Sequence, residues 1–494
     1  MARPGSEGTK ALIVAACALA LAGMALRPPA VAVASPDGPI QFEDATTQAG
    51  IDYRNLFGGA GKPYIIESTG NGAAWLDCDG DGLLDLFVVN GSTLERQEKG
   101  ERGPGNRLYR NDGKGGFADV TAGSGLEGGY WGSAVATGDY DNDGLVDLYV
   151  TTILEGNHLY HNNGKCTFTD VTRASGLWNP ELKSLGVVTA DLDDDGWPDV
   201  YVASDSTIQA LYRNRGNGSF EDVSLASGAG YSQDGRAQSG MGVDAGDYDG
   251  DGRPDLFVTT FQDDYKTLYH NDGSLRFSDV TYAARIGQVS FTRLSWGTGF
   301  QDFDNDGWLD LFVASGHVYP QVDGASLPQE TYGQQNQVLR NLGNGAFADV
   351  TSTAGPGLQV VKSSRGVAFG DYDNDGRIDA VVVNMDETLT LLHNTTRTAN
   401  HWLTVKTIGA RSNRDGIGAR VRVRAGGREL TREVKTSGSF ASASDPRVHF
   451  GLGGHERVES LELRWPSGAK QTFTDVPADR LVVVSEEKGL QAAR

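Results

Sequence analysis

"DYDNDGLVDLYV" at 139–150 returns as "DYDNDGRIDAVV" at 371–382. Each copy sets four aspartates at positions 1, 3, 5 and 9 and then runs into an apolar stretch. Carboxylates this close repel one another, so a chain that keeps building the feature has to neutralise it with something. Four more copies follow the same rule: "DCDGDGLLD" from Asp77, "DLDDDGWPD" from Asp191, "DYDGDGRPD" from Asp247 and "DFDNDGWLD" from Asp302.

The loop resembles the start of an EF-hand, with oxygen ligands at positions 1, 3 and 5 and a glycine at 6 for the sharp turn. It departs at position 12, where the EF-hand places a bidentate glutamate. Here that position is Val88, Val150, Val202, Val258, Val313 and Val382. The fourth carboxylate stands at position 9, so the reading is strand–loop–strand. The expected ligands are Asp77, Asp79, Asp81 and Asp85; Asp139, Asp141, Asp143 and Asp147; Asp191, Asp193, Asp195 and Asp199; Asp247, Asp249, Asp251 and Asp255; Asp302, Asp304, Asp306 and Asp310; and Asp371, Asp373, Asp375 and Asp379. Hard carboxylate oxygens, with the position-7 carbonyl, suit Ca²⁺ better than a transition metal. The expected cofactor is therefore Ca²⁺, about six ions per chain by the loop count.

The charge balance agrees. The chain has 494 residues, 65 acidic against 43 basic, and a formal charge of −22. Such a balance excludes a phosphate-binding face, so no nucleic-acid partner is expected. Residues 1–34 carry three basic groups and one acidic group, and without them the charge is −24. Six Ca²⁺ would halve that, so most of the acidity is metal ligand.

Two further phrases keep step with the Asp loops. "LYRN" at 108–111 returns at 211–214, as "LYHN" at 159–162 and 268–271, as "VLRN" at 338–341 and as "LLHN" at 391–394. The first five are followed by "FADVT" at 117, "FTDVT" at 168, "FEDVS" at 220, "FSDVT" at 277 and "FADVT" at 347. Four short strands per unit, at this period, predict the blades of a β-propeller. The sixth unit has no such ending, and the missing phrase opens the chain as "FEDAT" at 42–46. The expected fold is therefore all-β: a six-bladed propeller over 35–398, closed by its N-terminal strand. Seven blades is the alternative, the extra one placed in the 69-residue spacing before Asp371.

After Asn400 the Asp loops stop and alternating strands begin ("HWLTVKTIG", "ARVRVRAGG", "SLELRWPSG"), which predicts a β-sandwich over 399–488 and a tail at 489–494. At the other end, Arg3 and Lys10 precede the apolar run Ala11–Leu26, and "AVA" at 32–34 offers a cleavage site. This reads as a secretory signal over 1–34, with a membrane anchor as the alternative; the run is short of the roughly 18 residues a span needs. No transmembrane segment is expected in the mature chain, which would lie outside the cytoplasm, secreted, periplasmic or at the cell surface. Only Cys78 and Cys166 remain after cleavage, and the sequence leaves pairing and free thiols both open.

The repeat phrases resemble FG-GAP/VCBS repeats. The tail phrases "NRDGIGARV" (413–421), "RVHFGLG" (447–453) and "WPSG" (465–468) resemble the ASPIC/UnbV domain. Together they are similar to the cartilage acidic protein/UnbV family, which implies an exported calcium-binding propeller with a β-rich C-terminal domain and implies little about activity. Two functions are carried forward. The first is an extracytoplasmic interaction module for a protein or glycan. The second is an enzyme of secondary metabolism or carbohydrate chemistry, using loops around His317, Tyr319 and Gln334, which stand outside the repeat phrases in the longest stretch between Asp loops. His161, His270 and His393 alternate with Arg110, Arg213 and Arg340 in the "LYxN" slot and read as surface or packing positions.

Overall fold

Each repeat phrase becomes a strand. In the first repeat Ala73–Leu76, Asp85–Val88, Arg107–Asn111 and Phe117–Asp119 pair in chain order as an antiparallel meander. The computed structural model describes residues 40–492 except 142, 174–185, 218–219 and 325–330. The same order is repeated from Gly132–Gly138 to Phe168–Asp170, from Val187–Ala190 to Phe220–Asp222, from Gly240–Gly246 to Arg276–Asp279 and from Ser295–Gln301 to Phe347–Asp349. In the sixth sheet Ser364–Gly370, Asp379–Asn384 and Thr390–Asn394 are joined by Phe42–Asp44, with Phe42 opposite Asn394.

The phrase "FxDVT" has a local reason. The Thr121 hydroxyl accepts the N–H of Leu108, which opens "LYRN", at 2.9 Å, while Asp119 accepts the Thr121 N–H at 2.9 Å. The pattern recurs with Thr172 and Leu159, Ser224 and Leu211, Thr281 and Leu268, Thr351 and Val338, and Thr46 and Leu391. A three-residue outer strand is thus pinned by side chains where its own ladder is too short to hold it.

The N-terminal strand completes the sixth repeat sheet as expected, but the expectation of a closed FG-GAP-type propeller of six or seven blades is corrected here. The described repeat strands form separate four-stranded antiparallel sheets, beside one two-stranded pairing, and none of them is closed into a barrel. The physical reason lies in the meander, which spends its ladder hydrogen bonds within one sheet. Neighbouring repeat sheets meet through side chains instead: Trp75, Leu86, Ala368, Tyr372 and Val381 share one buried cluster, and Leu76, Phe87, Leu148 and Val150 share another. The spacing before Asp371 holds short 3₁₀ turns and one pairing of two-residue strands, Gln334–Gln335 with Val361–Lys362.

Residues 401–492 form two further four-stranded sheets packed as a sandwich around Val405, Val421, Val423, Phe450, Leu461, Trp465 and Val482. His401–Ile408 and Arg480–Ser485 run parallel. Gly489–Ala492, expected as a tail, pairs with Arg480–Ser485 as an edge strand. The leader reading falls on residues outside the described ones. Among the described residues no helix is long and apolar enough to cross a membrane.

Cys78, at position 2 of the first Asp loop, is disulfide-bonded to Cys166 in the turn that closes the second repeat sheet, across 88 residues of sequence. Closing a loop of that length removes chain entropy worth up to about 4.5 kcal/mol. Cys78→Ala/Cys166→Ala is therefore expected to lower the melting temperature by a few degrees while leaving the far-ultraviolet circular dichroism unchanged; equal melting temperatures would mean the bridge contributes no stability.

Candidate metal centres

The Asp loops share one hydrogen-bond plan. The position-1 carboxylate accepts two N–H groups of its own loop: Asp371 takes Asp375 N–H at 3.0 Å and Gly376 N–H at 2.8 Å. The position-9 carboxylate accepts one N–H from position 2 and one from the asparagine of "LYxN". For Asp310 these come from Phe303 at 3.1 Å and Asn341 at 2.8 Å. Position 5 accepts a loop N–H on one oxygen, as Asp81 does from Leu83, and in the first four loops position 3 does too, as Asp79 does from Asp81. What this leaves uncommitted by the backbone is the second oxygen of positions 3 and 5. The glycine at position 6 is required, because its φ lies between 84° and 96° in all six loops.

The asparagine also ties repeats together. Asn341 Nδ2 donates to Leu309 O of its own loop at 3.0 Å and to Tyr248 O of the preceding loop at 2.8 Å. Asn162, Asn271 and Asn394 reach Cys78, Leu192 and Phe303 in the same way, and Asn111 of the first repeat reaches Tyr372 of the sixth. The six loops are thus gathered on one side of the repeat array.

The position-9 carboxylates, and those at position 1 of all but the first loop, are buried and poorly solvated. Burial, with like-charged neighbours adding to it, pushes Asp371 up to about 8 and Asp85, Asp199, Asp255 and Asp379 up to about 7. Asp147, Asp247 and Asp306 are pushed up to about 6, and Asp302 and Asp310 well above the usual carboxylate range. Asp304 is fully buried; its Oδ2 takes Arg340 Nε at 2.6 Å, while Oδ1 is buried with no hydrogen-bond partner. A buried acceptor with nothing to accept is a costly feature that a cation would relieve.

Several side-chain groups could hold a metal ion, their ligand atoms lying within 4.8 Å of one another. Asp77, Asp79 and Asp85 form one; Asp141, Asp147 and His161, Asp249, Asp255 and His270, and Asp373, Asp379 and His393 form three more. Sequence reasoning missed the histidines. The signal was there in the strand register: with Leu148 opposite Tyr160, the next residue, His161, falls beside Asp147. His161 Nδ1 lies 3.4 Å from Asp147 and 3.2 Å from Asp141.

The C-terminal sandwich lies on the Asp-loop side and touches every loop. Lys406 Nζ is 3.4 Å from Asp77, Arg464 is 2.6 Å from Asp191, and Arg420 is 2.6 Å from Asp194. Asp415 accepts the Asp139 N–H at 3.0 Å, and Arg420 also donates to Gly252 O in the fourth loop. Arg428 stacks on Trp308 at 4.0 Å and donates to Asp306 O, and Arg447 donates to Asp371 O at 2.7 Å. From this sandwich the stretch 435–447, "KTSGSFASASDPR", passes among the first strands of all six repeat sheets. Its Ala443 exchanges hydrogen bonds with Ala73 and Trp75, and Ala441 O accepts from Val135. Thr436 reaches Thr137, Ser437 reaches Thr189, and Ser439 bonds to Val243, Thr298 and Val367. Phe440 packs edge-on against Trp296 at 5.0 Å.

His317, Tyr319 and Gln334 are brought near one another but are engaged by backbone. His317 Nδ1 accepts the Tyr319 N–H at 3.1 Å and its N–H donates to Tyr332 O at 2.9 Å. Its carbonyl accepts from the buried Arg365, whose guanidinium stacks on Trp296 at 4.3 Å. Gln334 Oε1 accepts the Leu294 N–H at 3.0 Å.

Comparison with known proteins adds the family. The FG-GAP-like repeat profile matches residues 77–150, 146–202, 191–258, 247–313 and 302–382, and the profile named ASPIC and UnbV matches 409–491. The chain belongs to this FG-GAP and ASPIC/UnbV family. Members of the family similar to it include Cartilage acidic protein 1 of Xenopus tropicalis, 25% identical over 449 residues, covering 82% of this chain and 63% of the relative. The Homo sapiens protein of the same name is 23% identical over 436 residues, covering 82% and 62%. The chain thus spans less than two thirds of the length of either relative. Among solved structures, an Agrocybe aegerita protein that recognises terminal N-acetylglucosamine aligns at 16% identity and a TM-score of 0.34, over 67% of this chain and 81% of its own. The Bacillus licheniformis rhamnogalacturonan lyase PL11 aligns at 12% and 0.31, over 67% and 72%. Scores at this level carry no argument about ligand or activity.

Proposed function

We propose that the protein is an exported, Ca²⁺-binding interaction module whose ions are structural and whose partner is an extracytoplasmic protein or glycan. The observation that carries the reading is the unpartnered, buried Asp304 Oδ1 within a loop whose other carboxylates are desolvated. The all-oxygen carboxylate set fits a hard divalent ion. The 24 loop aspartates would hold the ions, and each ion would tie the first two strands of its sheet together. Because the C-terminal sandwich covers the Asp-loop side, a partner would meet the opposite side of the repeat sheets, where the loops around His317 lie. His317, Tyr319 and Gln334 serve to hold those loops in place, in keeping with their backbone hydrogen bonds.

Elemental analysis of the purified protein after exhaustive dialysis tests this. About six calcium per chain and no stoichiometric transition metal is the expected result. A calcium content near zero would overturn the reading, and a transition metal lost on His317→Ala would replace it with an enzyme.

A further inference from the structure

The six loops differ in one respect that their consensus hides. In the third and fifth repeats the "LYxN" slot is arginine, and its guanidinium spans the outer oxygens of positions 3 and 5. Arg213 lies 2.9 Å from Asp193 Oδ2 and 3.3 Å from Asp195 Oδ2. Arg340 lies 2.6 Å from Asp304 Oδ2 and 2.8 Å from Asp306 Oδ2. These are the oxygens the backbone leaves uncommitted. A bidentate guanidinium therefore stands where a divalent ion would draw its remaining ligands.

The other loops are not clamped in this way. In the second, fourth and sixth repeats the slot is histidine, its Nδ1 at 3.2, 3.3 and 3.9 Å from the position-3 carboxylate. An imidazole can stay neutral and can itself be a ligand, whereas a guanidinium can do neither. Arg253 and Arg377, at position 7 of the fourth and sixth loops, each hold only the position-5 carboxylate. In the first loop Arg110 is exposed and exerts only a long-range attraction on Asp79.

We infer that the slot residue sorts the loops into two classes of divalent-ion affinity. Loops 191–199 and 302–310 are weak sites closed by an internal cation; the other four are strong sites. To fill a weak loop the ion has to displace the guanidinium from two carboxylates, at the cost of two charge-assisted hydrogen bonds in the fifth repeat and of one hydrogen bond and one ion pair in the third. The inference rests on the calcium reading above, and deepens it from a count of sites to an order of filling.

Calorimetric titration of the chelated protein with Ca²⁺ tests it. The expected isotherm has four strong equivalents and two at least tenfold weaker. In Arg213→His/Arg340→His, which places there the residue three other repeats use, the two weak equivalents should move up at least tenfold and merge with the rest. His161→Arg is the reverse test and should move one equivalent into the weak class. A single class of six in the unaltered protein, or two phases that neither variant changes, would overturn the inference and leave the calcium reading standing. No heat and no bound calcium at all would overturn both.

Discussion

Chelation with EGTA at pH 8 is expected to lower the melting temperature by about 15–20 °C. A site held at a hundredfold excess over its dissociation constant stabilises the fold by about 2.7 kcal/mol, so the six proposed sites, with Ca²⁺ at that excess over the weaker ones, contribute roughly 16 or more. At about 2.1 cal/mol/K per residue, the unfolding entropy of a chain this long converts that into a shift of the stated size. The shift should also depend on pH in a definite direction. Without ions, burial pushes Asp371 up to about 8 and Asp85, Asp199, Asp255 and Asp379 up to about 7, above their unfolded values. A folded-state pKa raised this way gives stability that is present at pH 4 and lost as pH climbs through the folded value. The chelated protein should therefore melt higher at pH 5 than at pH 8. The calcium-loaded protein should show the opposite trend, since the ion binds the deprotonated form. Melts in EGTA and in excess Ca²⁺ at the two pH values measure both effects, and curves unmoved by chelator would remove the metal from the account.

Gly72→Ala is expected to free the stretch 435–447 from the repeat sheets. A Cβ at residue 72 would lie 1.8 Å from Ala441 O, a backbone atom already held by Val135. Neither side can give way by so much, so the stretch has to leave. With it go Ala443 N–H to Ala73 O, Trp75 N–H to Ala443 O, Ala73 N–H to Ser442 Oγ and Val135 N–H to Ala441 O. Four buried hydrogen bonds at up to ~1.5 kcal/mol each come to about 6 kcal/mol. Gly366 and Gly242 also face this stretch, less closely, with a Cβ 2.4 Å from Ser442 Oγ and 3.1 Å from Ser439 O. Native-state hydrogen exchange is the direct reading: the Ala443 amide should lose roughly four decades of protection. Unchanged protection at Ala443 would mean the stretch is held by the sandwich alone.

The sequence made the repeats legible because each phrase has one job set by local chemistry. Aspartates at fixed spacing, a glycine forced to positive φ and a threonine pinned by Asp119 or its equivalents leave the same imprint each time. How separate sheets meet was not written locally. It depends on side chains such as Trp75 and Tyr372, whose rings stack across 6.2 Å from positions almost 300 residues apart. The expected pairing of the N-terminal strand with the sixth sheet is present, and it is the inference from that pairing to a closed propeller that went wrong. "KTSGSFASASDPR" was unreadable for a related reason: only small residues fit among six strands, and a run of serine, alanine and glycine has the look of a linker. The histidines of the "LYxN" slot were hidden by their alternation with arginine, which masks a shared position beside the Asp loops.

The pairing of Phe42–Asp44 with Thr390–Asn394 carries a consequence for the order of assembly. A strand made among the first few dozen residues waits for a partner made some 350 residues later, and the inner edges of all six sheets wait longer still, for 435–447. The array therefore cannot be completed from its N-terminus as the chain emerges. Early repeats pass through a stage with inner edges bare and acidic loops unsheltered, and a ribosome stall before residue 447 would release that unfinished form.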